Sequence, residues 1–394
     1  MMKRLLCALV ALMLCAAAVP ALGEDEIVIP DVTVKQFEIP DNEAMAFLRG
    51  LGFGWNLGNT MDAFDDHFRG NDLDLEGYWC RVKTTKEMFE SLAEHGFKTV
   101  RIPVSWHNHV SGEDFTINEP WMARVQQLVD WALESGLNVI LNTHHDNIKG
   151  FYYPDEAHLD ESLHYITCVW TQVAARFKDY DDRLIMESMN EPRLADTNHE
   201  WWFEQGNTEC LAAAECINRL NQAFVDTVRA SGGHNATRYL MVPGYDAAPA
   251  NTIPDIYRLP ADSADNRIIV SAHAYLPYSF ALDIKGVKEF SIKNLQQTGE
   301  IATALNGLYE RFISQGIPVV MGEFGALNKN NLQDRVDLTA YYVAGCSARG
   351  IPCVWWDNNA FSGSGENFGL LDRGKLEWPF PEIVEAAMKY ALKN

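Results

Sequence analysis

Eight short apolar runs, parted by helical patterns, constrain the fold of this chain more than any other feature. They are "GFGWNLG" (52–58), "TVRIPVSW" (99–106), "NVILNTHHD" (138–146), "RLIMESMNEP" (183–192), "YLMVPGY" (239–245), "RIIVSAHAY" (267–275), "IPVVMGEFG" (317–325) and "IPCVWWDN" (351–358). Between most of them lie amphipathic stretches such as "TTKEMFESLAEHG" and "NEPWMARVQQLVDWALESG". Both end in glycine, where helices often stop. Strands apolar on both faces, alternating with helices, make a parallel sheet. Eight such units predict an α/β fold closed into a (β/α)8 TIM barrel. A doubly wound open sheet is the competing arrangement, but no GxGxxG follows the first run, which argues against its nucleotide-binding form. The texture is uniform from residue 41 to 394, so we read one domain there, with residues 24–40 as a loose lead-in.

Nearly every run turns polar or aromatic at its C-terminal end: "WNLGN", "SWHNH", "THHD", "MNEP", "AHAY", "GEF" and "WWDN". A strand that only packs would stay apolar or stop at a turn. In TIM barrels the active site is built at that end of the strands.

The first residues, "MMKRLLCALVALMLCAAAVPALGEDE", read as an export signal spanning 1–23: Lys3 and Arg4, an apolar core too short to span a bilayer, then small residues. A secreted protein is therefore expected, with the periplasm as the alternative. Losing Lys3 and Arg4 takes the formal net charge from −22 to −24. Such a chain repels nucleic acid and anionic lipid, so neither is expected as a partner. Cys80, Cys168, Cys210, Cys216, Cys346 and Cys353 are scattered, without CxxC or zinc-ligand spacing. Cys210 and Cys216 are close in sequence, but on one helix they would face different ways, and their pairing stays open.

With these stretches in hand, the chain resembles glycoside hydrolase family 5, the cellulase family. "GWNLGNT", "RIPVSW", "HHD", "MNEP", "HAY", "GEFG" and "WWDN" occur in the family's order over residues 52–358. "GWNLGNT…WHNH…WWDN" looks most like subfamily 4, whose members cut β-1,4-glucans, mixed-linkage glucans and xyloglucan. The resemblance implies a retaining endo-β-1,4-glucanase acting on a β-glucan polysaccharide, monomeric, with no cofactor and no metal. It implies Glu191 as acid/base and Glu323 as nucleophile. Breaking a glycosidic bond needs one carboxyl to protonate the leaving oxygen and another to meet the anomeric carbon. The first must keep its proton near neutral pH and the second must be ionised, so they need different surroundings.

By the same resemblance Arg101 bonds the nucleophile, Asn190 binds the sugar 2-hydroxyl, His273 contacts the acid/base and Tyr275 contacts the nucleophile. His144 would bind substrate, Trp356 would lie under the sugar at the cleavage site, and Asn59 would reach the next one. Glu187 is a second partner for Arg101, two positions before Met189 and four before Glu191. Consecutive strand residues alternate faces, so Asn190 and Glu191 can share a site only if the strand end twists. His145 is read as structural and Trp355 as core. Trp106, Trp201 and Trp202 are open between further subsites and ordinary packing. The absence of a carbohydrate-binding module, dockerin-like repeat or linker points to soluble or hydrated glucan as substrate. The rival readings are a β-mannanase of the same fold, a metal-dependent barrel hydrolase using His107, His109 and the "HHD" residues, and an inactive sugar-binding barrel.

Overall fold

The computed structural model describes residues 26–393. The export-signal reading at 1–23 lies outside the described residues. Eight parallel strands close into one barrel. They are β1 (Phe53–Leu57), β2 (Thr99–Ile102), β3 (Asn138–Asn142), β4 (Leu184–Glu187), β5 (Leu240–Pro243), β6 (Ile268–His273), β7 (Val319–Phe324) and β8 (Cys353–Asp357). Each lies within one of the eight apolar runs. Closure is explicit: β1 pairs with β8 from Phe53↔Cys353 to Leu57↔Asp357, and with β2 on its other side. The open doubly wound sheet is thereby excluded.

The helices form the outer ring: α1 (Glu43–Leu51), α2 (Lys86–Glu94), α3 (Glu119–Glu134), α4 (Leu159–Phe177), α5 (Thr208–Ala230), α6 (Leu295–Arg311), α7 (Leu332–Ser347) and α8 (Pro381–Tyr390). Asparagine side chains accept the free N–H groups at the starts of α1, α3, α5 and α6. Gly96 and Gly136 follow α2 and α3 with φ of 92° and 84°, a conformation costly for residues bearing a Cβ. The β5–β6 crossover carries no long helix, just a 3-10 turn, Tyr245–Ala247, and a one-turn helix, Pro249–Thr252.

Two local features aim the site. Strand β7 carries one residue more than its neighbours accommodate: pairing with β6 skips from Ala272↔Met321 to His273↔Glu323, and pairing with β8 shifts at the same place. Such a bulge bends the strand and turns a side chain. Gly322 fills it, where an added Cβ would lie 3.1 Å from His273 Nε2. Strand β4, in turn, ends at Glu187. Residues 188–191 are therefore past the regular ladder, and strict alternation does not bind Asn190 and Glu191.

Residues 26–40 contain no helix or strand. They are nonetheless fastened: Val28 exchanges hydrogen bonds with Gln333, the Val32 N–H reaches Tyr390 Oη, and the Phe37 N–H reaches the Ala348 carbonyl. The segment thus spans α7 and α8. Cys210 and Cys216 both lie on α5 as free, buried thiols. No helix among the described residues is long and apolar enough to cross a membrane.

Candidate active site

Arg101, on β2 and wholly buried, organises the barrel mouth. Its Nε donates to Glu187 Oε2 at 2.7 Å. Its Nη1 donates to Glu323 Oε1 at 2.7 Å and to Asn56 Oδ1 at 3.0 Å. Its Nη2 donates to Asn190 Oδ1 at 2.7 Å and faces His273 Nε2 at 3.5 Å. Burial works against the guanidinium charge, but the two carboxylates overcome it and push its pKa up. A buried ion is tolerable only when paired and hydrogen-bonded in this way. Glu187 takes its second bond from Ser271 Oγ at 2.6 Å and is fully buried, so it serves as an internal counter-ion.

Glu323, placed by the β7 bulge, accepts from Arg101 and from Tyr275 Oη at 2.8 Å. Glu191 lies across from it, with His273 Nδ1 at 2.8 Å from Oε1 and Arg193 Nη1 at 4.0 Å from Oε2. An oxygen of each carboxyl comes within 4.8 Å of the other. Asn190 gives its side-chain oxygen to Arg101 and so keeps its amide N–H groups for a ligand.

The protonation order turns on His273. Burial raises both carboxyls. A cationic His273 would reverse this for Glu191, holding it below the ordinary carboxylate value while Glu323 stayed above. Arg101 facing Nε2 argues otherwise. A guanidinium can only donate, so Nε2 is the lone-pair nitrogen and Nδ1 carries the hydrogen toward Glu191. In that tautomer the ring is uncharged. Burial and the anionic Glu323 then raise Glu191, whereas Glu323 keeps the Arg101 cation and the Tyr275 hydroxyl. The pair therefore favours a neutral Glu191 beside an ionised Glu323.

Trp356, from β8, and His144, after β3, lie parallel, with ring centroids 5.7 Å apart and planes 3° from coplanar in orientation. A Cβ on Gly58 would meet the Trp356 indole at 2.8 Å, so only glycine fits beneath that ring. Asn59 follows directly, half-buried in a left-handed turn (φ 57°) with its N–H on Asp62 Oδ2. Asn142 holds His144 by Nδ1, and burial keeps that imidazole well below its ordinary pKa, hence neutral. His145 packs against Phe64 and Trp79, with Asp62 at 3.8 Å, and burial lowers it to about 4.

The structure thus gathers Glu191, Glu323, Arg101, Asn190, His273 and Tyr275 into one hydrogen-bonded group. His144 and Trp356 stand beside it and Asn59 at its edge. Trp106 is core, its indole N–H on the Asn142 carbonyl, and Trp355 is core as expected. His107 bonds Asp146, and His109 stacks on Trp121 at 3.6 Å. They do not converge as metal ligands. Asp62, His144 and His145 do bring donor atoms within 4.8 Å of one another, but both Asp62 oxygens already accept the N–H groups of Asn59 and Thr60.

Sequence reasoning missed Asn56, Arg193 and two further carboxyls. Asp246 and Glu366 are both raised by burial and then by the negative charges of the Glu191–Glu323 region. Arg193 was visible only as the residue two after Glu191. Nothing local marks the others.

Comparison with known proteins places the whole chain. The model of the cellulase family (glycosyl hydrolase family 5) matches residues 60–362. The chain is 44% identical to Endoglucanase 1 of Ruminococcus albus, over 96% of this chain and 90% of that protein. It superposes with a TM-score of 0.92 on a family 5 lichenase from a Caldicellulosiruptor species bound to cellotetraose, at 52% identity, covering 93% of this chain and all of the other. A GH5-4 broad-specificity endoglucanase from Ruminococcus champanellensis, bound to cellotriose, superposes at 0.83 with 41% identity, over 89% of this chain and all of that one. The protein belongs to glycosyl hydrolase family 5 and is a glycoside hydrolase.

Proposed function

We propose that this protein cleaves β-1,4-linked glucans internally, with retention of the β configuration, outside the cell that makes it. The separation of the two carboxyls carries the mechanism. Retaining glycosidases set them about 5–5.5 Å apart and inverting ones about 6.5–9.5 Å, to admit a water. A closest approach within 4.8 Å favours the first class.

In the first step Glu191 gives its proton to the glycosidic oxygen while Glu323 attacks the anomeric carbon. The C–O bond to the departing chain breaks and an ester to Glu323 forms. Glu323 is then neutral, the repulsion on Glu191 falls, and its carboxylate can take a proton from water. That water attacks the same carbon and releases Glu323. Asn190 is placed to meet the 2-hydroxyl, and Trp356 offers the sugar a flat apolar face. The export reading rests on the N-terminal sequence pattern.

For substrate, we infer that mixed-linkage glucan and xyloglucan serve at least as well as cellulose derivatives. The lichenase and the broad-specificity endoglucanase among its relatives support this. Reducing-sugar release across carboxymethylcellulose, barley β-glucan, xyloglucan, glucomannan and xylan tests it. Mannan cleavage without glucanase activity would transfer the assignment to a β-mannanase. Proton NMR of the first-formed reducing end tests the mechanism, and an initial α signal would refute it.

A further inference from the structure

Lys329 stands in surroundings that a surface lysine does not need. It lies in the turn between β7 and α7, only 9% exposed, and points under the loop that follows β6. Its Nζ donates to the carbonyls of Ser279, Phe280 and Val287 at 3.1, 3.0 and 3.0 Å. An ammonium has three hydrogens, and here each has an acceptor. Two of these carbonyls belong to the one-turn helix Tyr278–Ala281, which is too short to bond its own last carbonyls. Burial lowers the lysine pKa, Asp283 opposes this, and Lys288 adds to it.

The loop needs such a tie. Phe280 and Phe290 are buried at its two ends, but Ile284 and Val287 between them are half-exposed. The middle part is held instead by hydrogen bonds from the β7–α7 turn. Beside Lys329, the Leu327 N–H reaches the Ala281 carbonyl at 3.0 Å, and Asn331 Nδ2 reaches the Lys288 carbonyl at 2.7 Å. What this holds in place is Leu282. With Tyr275, that leucine packs on a small apolar cluster of Leu327, Trp356 and Phe368, separate from the main core. The Tyr275 ring lies 5.4 Å from that of Phe368, and its hydroxyl donates to Glu323 Oε2 at 2.8 Å. A hydrogen bond weakens steeply with angle, so the contacts along the ring decide whether this one is made.

We propose that Lys329 is a positioning residue for the reaction: by fixing the loop after β6 it seats Leu282 against Tyr275, and so keeps the tyrosine hydroxyl on Glu323. Its effect passes through Leu282 and Tyr275 and not through contact with the reacting atoms. The inference rests on the nucleophile reading of Glu323 and adds a residue that maintains it. Glu323 also faces Arg101 from β2, Glu191 after β4, His273 from β6 and Glu366 after β8. None of these belongs to the loop, so releasing it singles out the tyrosine.

The acid limb of the kcat/KM profile against pH, on an aryl cellobioside, provides the test. Activity requires an ionised Glu323, and the Tyr275 hydrogen bond favours that ion. Without the bond Glu323 takes its proton at higher pH, so Lys329→Met should move the limb up by about half to one pH unit. Tyr275→Phe should move it at least as far, and the double variant no further than Tyr275→Phe alone, because both act on one bond. Lys329→Gln keeps two amide hydrogens for the carbonyls and should give a smaller shift in the same direction. An unmoved limb in Lys329→Met, whatever its melting temperature, would overturn the proposal, since the lysine would then support the loop and nothing more. Should Lys329→Met not fold, an unmoved limb in Lys329→Gln would do the same. Shifts that add in the double variant would also overturn it. A Tyr275→Phe limb that stays in place would mean that the limb does not belong to Glu323, and the nucleophile reading would fall, with this inference.

Discussion

Glu323 and Glu191 share a side chain but not a set of neighbours, and their replacement should separate them. Glu323→Ala removes the group that forms the bond, so turnover should fall by about 10⁴-fold or more on every substrate. Glu191→Ala should lose about 10²–10⁴-fold on glucan yet keep a first-step burst on aryl glycosides, whose leaving groups depart without a proton. Equal losses on both, in pre-steady-state traces, would undo the assignment. His109 offers a second test at this scale. Burial lowers its pKa to about 3, and neither ring nitrogen is hydrogen-bonded among the described residues. Its folded pKa lies below its unfolded value, so the stability linked to its neutral form is present above about pH 6.5 and is lost as pH falls. His109→Phe should gain about 1–2 kcal/mol near pH 7.5 by removing unpaired polar atoms. The gain should grow by about 2 kcal/mol at pH 5, read from urea midpoints. Glu191, Glu323, Arg101 and Tyr275 were legible because polar residues interrupt apolar runs only where something must be bound. Asp246 was not, because a left-handed residue (φ 52°) in a loop carries no periodic signal.

Strands were easier to read than connections. A strand buried on both faces must be mostly apolar, so all eight showed as apolar runs broken only by a few polar residues such as Asn56, Arg101 and Glu187. The β5–β6 crossover, with only short helical turns where a full helix was the norm, had no such pattern to show. The β7 bulge was equally silent, since one extra residue changes register without changing composition. Arg238 was another invisible element. Wholly buried, it donates to the carbonyls of Phe177, Tyr180, Asp181 and Leu184, tying the end of α4 to the start of β4. Burial without a carboxylate partner lowers its pKa to about 10. Arg238→Met should leave those carbonyls unpaired and cost about 3 kcal/mol, seen as an earlier urea midpoint. At moderate temperature the variant should retain its kcat, because the far end of β4 carries the site. A kcat lost in proportion to stability would contradict that separation.

At the scale of the whole chain, the formal charge of −22 is the dominant electrostatic fact. Self-repulsion destabilises a compact state of one sign, and salt relieves it. The melting temperature should therefore rise between about 0.01 M and 0.2 M NaCl, by scanning calorimetry. A fall would mean that attractive surface pairs outweigh the net charge. In the cleft the ionised Glu323 adds to this negative field, while the raised Asp246 and Glu366 hold their own charges less readily. Glucans are neutral and enter without electrostatic cost. Uronate-bearing polymers should be cleaved more slowly, and salt should narrow that gap.

The five contacts of Arg101 also limit how the enzyme can be re-engineered. Asn56, Glu187, Asn190, His273 and Glu323 all share one planar group with a fixed fork. A change at any of them redistributes the hydrogens available to the rest. Tuning the pH optimum by editing these positions one at a time is thus not a modular operation, and paired substitutions should combine non-additively. Arg193 lies outside that knot and still senses Glu191. It is the adjustable screw on an otherwise welded frame.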